Sequence, residues 1–163
     1  MNTVSRSLRS HSVAATERLA EQLGARLRPG QGLALTGELG AGKTAFVRGL
    51  ARGLRITEPD EVRSPTYLML VEHQGPIPLV HVDAYFRDKG VRLQEEGGLL
   101  AFDPAAVVAV EWPEHLPGGI PAEWLRVELR VCGESEREIT LHGDAAEWGE
   151  VVGALDAPPP PGA

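Results

Sequence analysis

Cysteine is nearly absent from this chain: Cys132 is the only one in 163 residues. That excludes an internal disulfide and every cysteine-rich metal pattern, and Cys132, among strand-like neighbours, reads as a small buried hydrophobe in a reducing compartment. Lysine is almost as scarce, two residues against 14 arginines, and Asn2 is the sole asparagine. A guanine-reading N-K-x-D motif therefore has no residue to start from. Positive charge in excess is lacking too, with a net charge of -7 and arginines spread along the chain, so unaided nucleic-acid binding is disfavoured. No stretch approaches the ~18 apolar residues of a membrane span, and the opening segment lacks the apolar run of a signal peptide. The expectation is a soluble, cytoplasmic protein with no membrane partner.

Of the elements that are present, the first is an amphipathic helix from Ser12, a candidate N-cap, through Leu19, Ala20, Leu23 and Leu27 to the stop at Pro29-Gly30. Gly32 to Thr36 is a short apolar run entering a glycine-rich turn, and Thr44 to Leu54 has helical spacing through Phe46, Val47, Leu50 and Leu54. Tyr67 to Val71, Leu79 to Val82 and Val107 to Val110 read as strands covered on both faces, hence a mainly parallel sheet. Leu125 to Val131 and Glu138 to His142 alternate with period two, as in an antiparallel hairpin with one wet face. Asp144 and Glu147 have the spacing of a capping box ahead of Trp148, Val151, Val152 and Leu155. Residues 1–10 and the proline-rich 157–163 are expected to be flexible and disordered, leaving 11–156 as one domain.

Gly37-Glu38-Leu39-Gly40-Ala41-Gly42-Lys43-Thr44 satisfies G-x-x-x-x-G-K-[ST] in full, between an expected strand and an expected helix. A nucleoside triphosphate needs many donors converging on a small volume. Glycines let successive backbone N–H groups turn inward at the positive end of the following helix. Glu38 to Thr44 are therefore expected to hold ATP, with Lys43 reaching the β- and γ-phosphates and the Thr44 hydroxyl ligating magnesium.

Leu79-Val80-His81-Val82-Asp83 and Val107-Val108-Ala109-Val110-Glu111 are apolar strands that each end in an acid. Strand carboxyl ends in a parallel α/β sheet converge on the ligand crevice. Asp83 is a candidate for the magnesium shell, and Glu111 is a candidate either to ligate the metal or to orient an attacking water. Neighbouring carboxylates do not both ionise cheaply without a cation between them, so two acids beside magnesium are mutually consistent. His81 reads as a buried structural histidine. In the loop segment Ser64-Pro65-Thr66-Tyr67, Thr66 is a candidate to reach the γ-phosphate or magnesium, as switch threonines do. Trp112 either stacks on a base or partner or packs the sheet end.

These motifs, taken in their order and separations with His81-Val82-Asp83-Ala84-Tyr85 and Val110-Glu111-Trp112-Pro113, resemble the bacterial TsaE family from about Thr16 to Arg137. The family's loop reads G-D-L-G-A-G-K-T, so Glu38 replaces an aspartate. The resemblance implies a three-layer α/β P-loop domain, a mainly parallel sheet flanked by helices with an antiparallel hairpin at one edge. It also implies an ATPase, slow alone, that works with TsaD and TsaB in threonylcarbamoyladenosine modification of tRNA and meets tRNA only through that complex. In the family's pattern Thr44 and Glu111 would belong to the magnesium site, Asp83 would be the acid of the second motif and Arg137 would lie near the nucleotide. With the reading of the residues above, Lys43, Asp83, Glu111 and Thr66 are the expected catalytic set and Thr44, Asp83 and Glu111 the expected magnesium ligands. In one departure, the family's arginine after the tyrosine is replaced by Phe86, with Arg87 one residue later. A small-molecule kinase would need an arginine-rich lid, and none is evident. A nonenzymatic adaptor, in which bound ATP only rigidifies an interface, is distinguished by turnover with the partners present.

Overall fold

Runs such as Val107-Val108-Ala109-Val110 have no polar alternation, so both faces of the strands they form must be covered, and that requirement sets the architecture. The computed structural model describes residues 2–67 and 69–162. In chain order it consists of β1 (Thr3–Ser10), α1 (Val13–Gly24), β2 (Gly32–Thr36), α2 (Lys43–Gly53), β3 (Leu70–His73), β4 (Leu79–Asp83), α3 (Arg87–Glu95), β5 (Val107–Glu111), β6 (Leu125–Val131), β7 (Arg137–Asp144) and α4 (Ala145–Gly153), with short 3-10 turns between. The strands form one sheet in the order β1-β7-β6-β2-β5-β4-β3. Its centre is parallel: β2 pairs with β5 and β6, and β4 pairs with β5, all in parallel. The β6–β7 hairpin, β1 beyond it, and β3 at the opposite edge are antiparallel.

Alternate side chains of the central strands feed two cores. Leu33, Leu35, Leu79, Val107 and Ala109 meet α1, α2 and α4, while Val80, Val82, Val108 and Val110 face Leu93 of α3, Leu116 and Trp124. Helices thus cover both faces, giving three layers. Helices α1 and α2 cross in backbone contact at Gly49, where a Cβ would lie 2.2 Å from the Glu17 carbonyl oxygen. Above that crossing, Glu17 is held by Arg48 at 2.9 Å and Arg52 at 2.5 Å. Among the described residues no helix is long and apolar enough to cross a membrane.

The structure departs from the sequence reading in five places. The amino terminus, expected to be flexible through residue 10, pairs with β7 from Thr3↔Asp144 to Ser10↔Arg137. It carries little apolar area, but Leu8 and Ser10 face inward, and Arg6 donates to the Val152 and Leu155 carbonyls at 2.9 and 2.6 Å, satisfying the open end of α4. The strand expected over Tyr67–Val71 begins only at Leu70, after Met69, at φ 68°, turns the chain and bonds back to Pro65, and it is an exposed antiparallel edge because the short 74–78 connection leaves room only for a hairpin into β4. Leu68, within that range, lies outside the described residues, as do Met1 and Ala163. The capping box of α4 is half formed: Asp144 accepts from the Ala146 and Glu147 amides, but Glu147 reaches Gln31 and Arg28 instead. Cys132 is only partly buried, at the end of the hairpin. Helix α3 was not anticipated, since it buries only Gly90 and Leu93 and shows no apolar stripe.

Burial raises the Glu17 carboxyl pKa, but hydrogen bonds and charge from Arg48 and Arg52 outweigh it and hold the group below its usual 4.5. A depressed folded-state pKa contributes stability above the unfolded value that is lost as pH falls through the folded one. Glu17→Gln should therefore cost about 1–3 kcal/mol at neutral pH, the worth of charged hydrogen bonds. The deficit should shrink as the parent carboxyl protonates below its ordinary range. Urea unfolding of both proteins across that window checks this, and a deficit that does not change with pH would refute it.

Candidate functional site

The turn after β2 and the first turn of α2 are one continuous loop. Gly42, the N-cap of α2, sits at φ 104°, where an L side chain is strained, so glycine is required for the amides to turn toward the helix axis. Lys43 folds back over the loop: its Nζ donates to the carbonyls of Gly37 at 2.5 Å and Glu38 at 2.9 Å and lies 4.2 Å from the centroid of the Trp112 ring. Burial pulls the Lys43 ammonium below its usual pKa, opposed by the charges of Glu111, Glu114, Asp83 and Glu38. The ammonium is thus the positive centre of an acidic surround.

Parallel pairing puts Asp83 directly beside Glu111 at the carboxyl ends of β4 and β5, each 3% exposed. The Thr44 hydroxyl is 3.2 Å from both Glu111 carboxylate oxygens. Asp83 accepts from the Tyr85 amide at 2.9 Å, from the Thr66 hydroxyl at 2.9 Å and from the Ser64 hydroxyl. Thr66 therefore meets the second acid of the site, and the segment before β3 is tied down by that carboxylate and by Lys89, which donates to the Tyr67 carbonyl.

Lys43, Thr44, Thr66, Asp83, Glu111 and Trp112 converge on one open cleft of about 490 Å³. Its donors suit magnesium: the hydroxyl of Thr44 and two carboxylates are hard oxygen ligands, and no group of three His, Cys, Asp or Glu placed to hold a metal on its own occurs among the described residues. A magnesium ion that keeps waters and phosphate oxygens needs only one or two protein carboxylates, whereas an all-protein cage needs more. The fit is therefore to a metal that arrives with a polyphosphate.

Other expected residues are placed differently. Leu39 is 71% exposed at the cleft mouth, Gly40 lines it, Glu38 is exposed, and Ala41 is buried under the loop. Arg137 donates to the carbonyls of Ala41 and Gly40, both at 3.1 Å, so it holds the loop from the hairpin side. It lines a smaller adjoining cleft of about 130 Å³ with Val13, Thr16 and Ser135. The sequence reading missed the bond of His81 Nε2 to Glu111, at 2.5 Å, and the packing of Trp112 on Lys43. The two-residue spacing of His81 and Asp83 was the available signal, since alternate strand residues share a face.

A family model described as "Threonylcarbamoyl adenosine biosynthesis protein TsaE" matches residues 10–139. The chain belongs to the TsaE family. The protein called tRNA threonylcarbamoyladenosine biosynthesis protein TsaE in Bacillus subtilis is 38% identical over 131 residues, 77% of this chain and 78% of that one. Its counterpart of the same name in Treponema pallidum is 35% identical over 132 residues, 81% and 96% of the two chains. The fold is likewise similar to a crystal structure of Bacillus subtilis YdiB, with a TM-score of 0.73 and 29% identity over 94% of this chain and 95% of that one. In this TsaE-family chain the departure after Tyr85 has a structural consequence: Phe86 lines the cleft, while Arg87 is exposed at the start of α3.

Arg137→Leu should free the loop carbonyls and speed amide exchange across Glu38–Gly42 by about tenfold, an opening cost lowered by about 1.4 kcal/mol. Exchange mass spectrometry with the thermal midpoint as a folding control measures it. Unchanged exchange would mean that the hairpin does not hold the loop.

Proposed function

We propose that this chain binds ATP with magnesium and hydrolyses it as the TsaE component of tRNA threonylcarbamoyladenosine formation, resetting a TsaD–TsaB complex in the cytoplasm. The observation that carries the reading is the convergence of Lys43, Thr44, Asp83 and Glu111 on one cleft at the carboxyl ends of the central strands. In this reading the triphosphate enters along the loop amides and Lys43 leaves the Gly37 and Glu38 carbonyls for the β- and γ-phosphates. The smaller cleft shares Gly40, Gly42 and Ala45 with the larger one. It would take the nucleoside end beside Val13 and Thr16.

Thr44, Asp83 and Glu111 would hold the magnesium, which supplies charge neutralisation of the phosphate oxygens. Lys43 and the loop amides stabilise charge on the transferred phosphoryl group. Glu111 orients water for attack on the γ-phosphorus, or lends an oxygen to the metal; the bond to the β-phosphate oxygen breaks, leaving ADP and phosphate. Thr66, released from Asp83, would follow the γ-phosphate and lose it on hydrolysis.

Partner dependence has its own support. Lys43 is the only cation among the described residues that line the main cleft, and Leu39, Tyr67 and Phe86 stand exposed around it, Tyr67 at 84%. An apolar rim over an incompletely neutralised phosphate site suits a protein surface that closes it. The net charge of -7 fits contact with tRNA through the complex only.

Lys43→Ala should abolish hydrolysis and weaken ATP binding, and turnover of the parent should rise when TsaD and TsaB are added. Glu111→Gln should keep ATP affinity within about tenfold, roughly 1.4 kcal/mol, while greatly reducing turnover. Phosphate release assays with titration of a fluorescent ATP analogue separate the two effects. Parental turnover by Lys43→Ala would sink the assignment of the loop, and nucleotide-bound protein that never turns over with its partners would favour the adaptor.

A further inference from the structure

His81 is fully buried, and its Nε2 lies 2.5 Å from Oε2 of Glu111. Its register partner on β5 is Ala109, a small residue, so the imidazole lies diagonally across the two strands toward Glu111. The other inward side chains of β4 and β5 beneath the site, Leu79, Val107 and Ala109, belong to the apolar core. With Glu111 as the carboxylate, Nε2 carries the donated hydrogen, and Nδ1 has no partner among the described residues. A buried polar atom left unpaired costs about 1–3 kcal/mol. A residue kept only for packing would avoid that cost as leucine or phenylalanine, so it is the bond to Glu111 that accounts for an imidazole here.

Among the described residues Glu111 has one other side-chain partner, the hydroxyl of Thr44. That hydroxyl is also the group expected to take a place at the metal, so its position is set by the ligand once nucleotide is bound. His81 lies behind Glu111, does not line the cleft and is closed off from solvent. We infer that His81 is a positioning residue: it clamps Oε2 of Glu111 so that the rest of the carboxylate stays aimed at Thr44 and the nucleotide's metal. The inference rests on the reading of the loop and of Glu111 given above. Outer partners of this kind typically change metal affinity or activity 10–100-fold.

The test uses the full chain with TsaD and TsaB at one fixed pH, comparing the parent with His81→Gln, His81→Asn and His81→Leu, and with Lys43→Ala as a control. Glutamine places an amide nitrogen near the position of Nε2, whereas the shorter asparagine side chain places it near Nδ1 and does not reach Glu111. Turnover should fall about 10–100-fold in the asparagine and leucine variants and recover to within about fivefold of the parent in the glutamine variant. Binding of a fluorescent ATP analogue in chelator should stay within about twofold in all three, while the tightening produced by magnesium should be lost in the asparagine and leucine variants. If the leucine variant does not fold, the asparagine–glutamine pair decides alone. Equal turnover of that pair, or a loss matched by equal weakening of metal-free binding, would overturn the positioning role. Turnover by Lys43→Ala would instead overturn the reading of the loop on which it rests.

Discussion

Two carboxylates side by side, each 3% exposed, are the constraint around which the rest of this molecule is arranged. Adjacent buried anions repel and lose their hydration, and both remain charged only when donors and cations replace the water. Every group near them answers that demand. Asp83 takes two hydroxyls and a backbone amide, Glu111 takes the Thr44 hydroxyl and the His81 imidazole, and Lys43 brings a formal positive charge over the loop. The parallel centre of the sheet follows from the same demand, since only parallel strands bring two carboxyl ends to one edge.

Helix α2 connects that charge site to the segment that reads it. Its first residues form the loop, and two turns later Arg48 and Arg52 grip Glu17 of α1. The same guanidiniums extend to the Val62 carbonyl and to Asp60, fixing the start of the segment whose hydroxyls reach Asp83. The loop and the segment of Ser64 and Thr66 are thus joined by packed contacts as well as by the chain. The backbone-close crossing at Gly49 stiffens this connection, because neither helix can slide without driving the Glu17 carbonyl into its neighbour.

Much of this was legible in the residues. The loop, helices α1 and α2, the hairpin and the central strands all carry patterns with a single physical reading, and Asp83 and Glu111 follow from strand ends alone. Three kinds of feature did not. Helix α3 has almost no apolar face, and β1 is held by backbone pairing and the capping by Arg6 more than by hydrophobic area, so periodicity had little to report. The late start of β3 is set by a backbone turn at Met69 that no side-chain pattern encodes. The pairing of His81 with Glu111 is a contact between separate strands, invisible until the register is known.

Trp112 shows why the site needs its unusual backbone. It adopts φ 59°, a left-handed conformation that costs a bulky residue on the order of 1–3 kcal/mol, and it precedes Pro113, which narrows its choices further. An extended residue there would carry the chain straight on past Glu111 and away from the loop. The left-handed turn instead folds the indole back over Lys43 and stacks it on His115, whose Nδ1 donates to the carbonyl of Tyr85 at 2.9 Å. Tyr85 in turn packs edge-on against the indole and, two residues after Asp83, supplies the amide that this acid accepts. The strained tryptophan thus closes a ring of contacts running from the loop lysine to Glu111's neighbour and back. Its strain is offset by the cation–π contact and the aromatic stack together, each worth about 0.5–2 kcal/mol. Part of that balance rests on Lys43, so under the proposed function a phosphate that drew Lys43 off the ring would leave the aromatic stack alone to offset the strain.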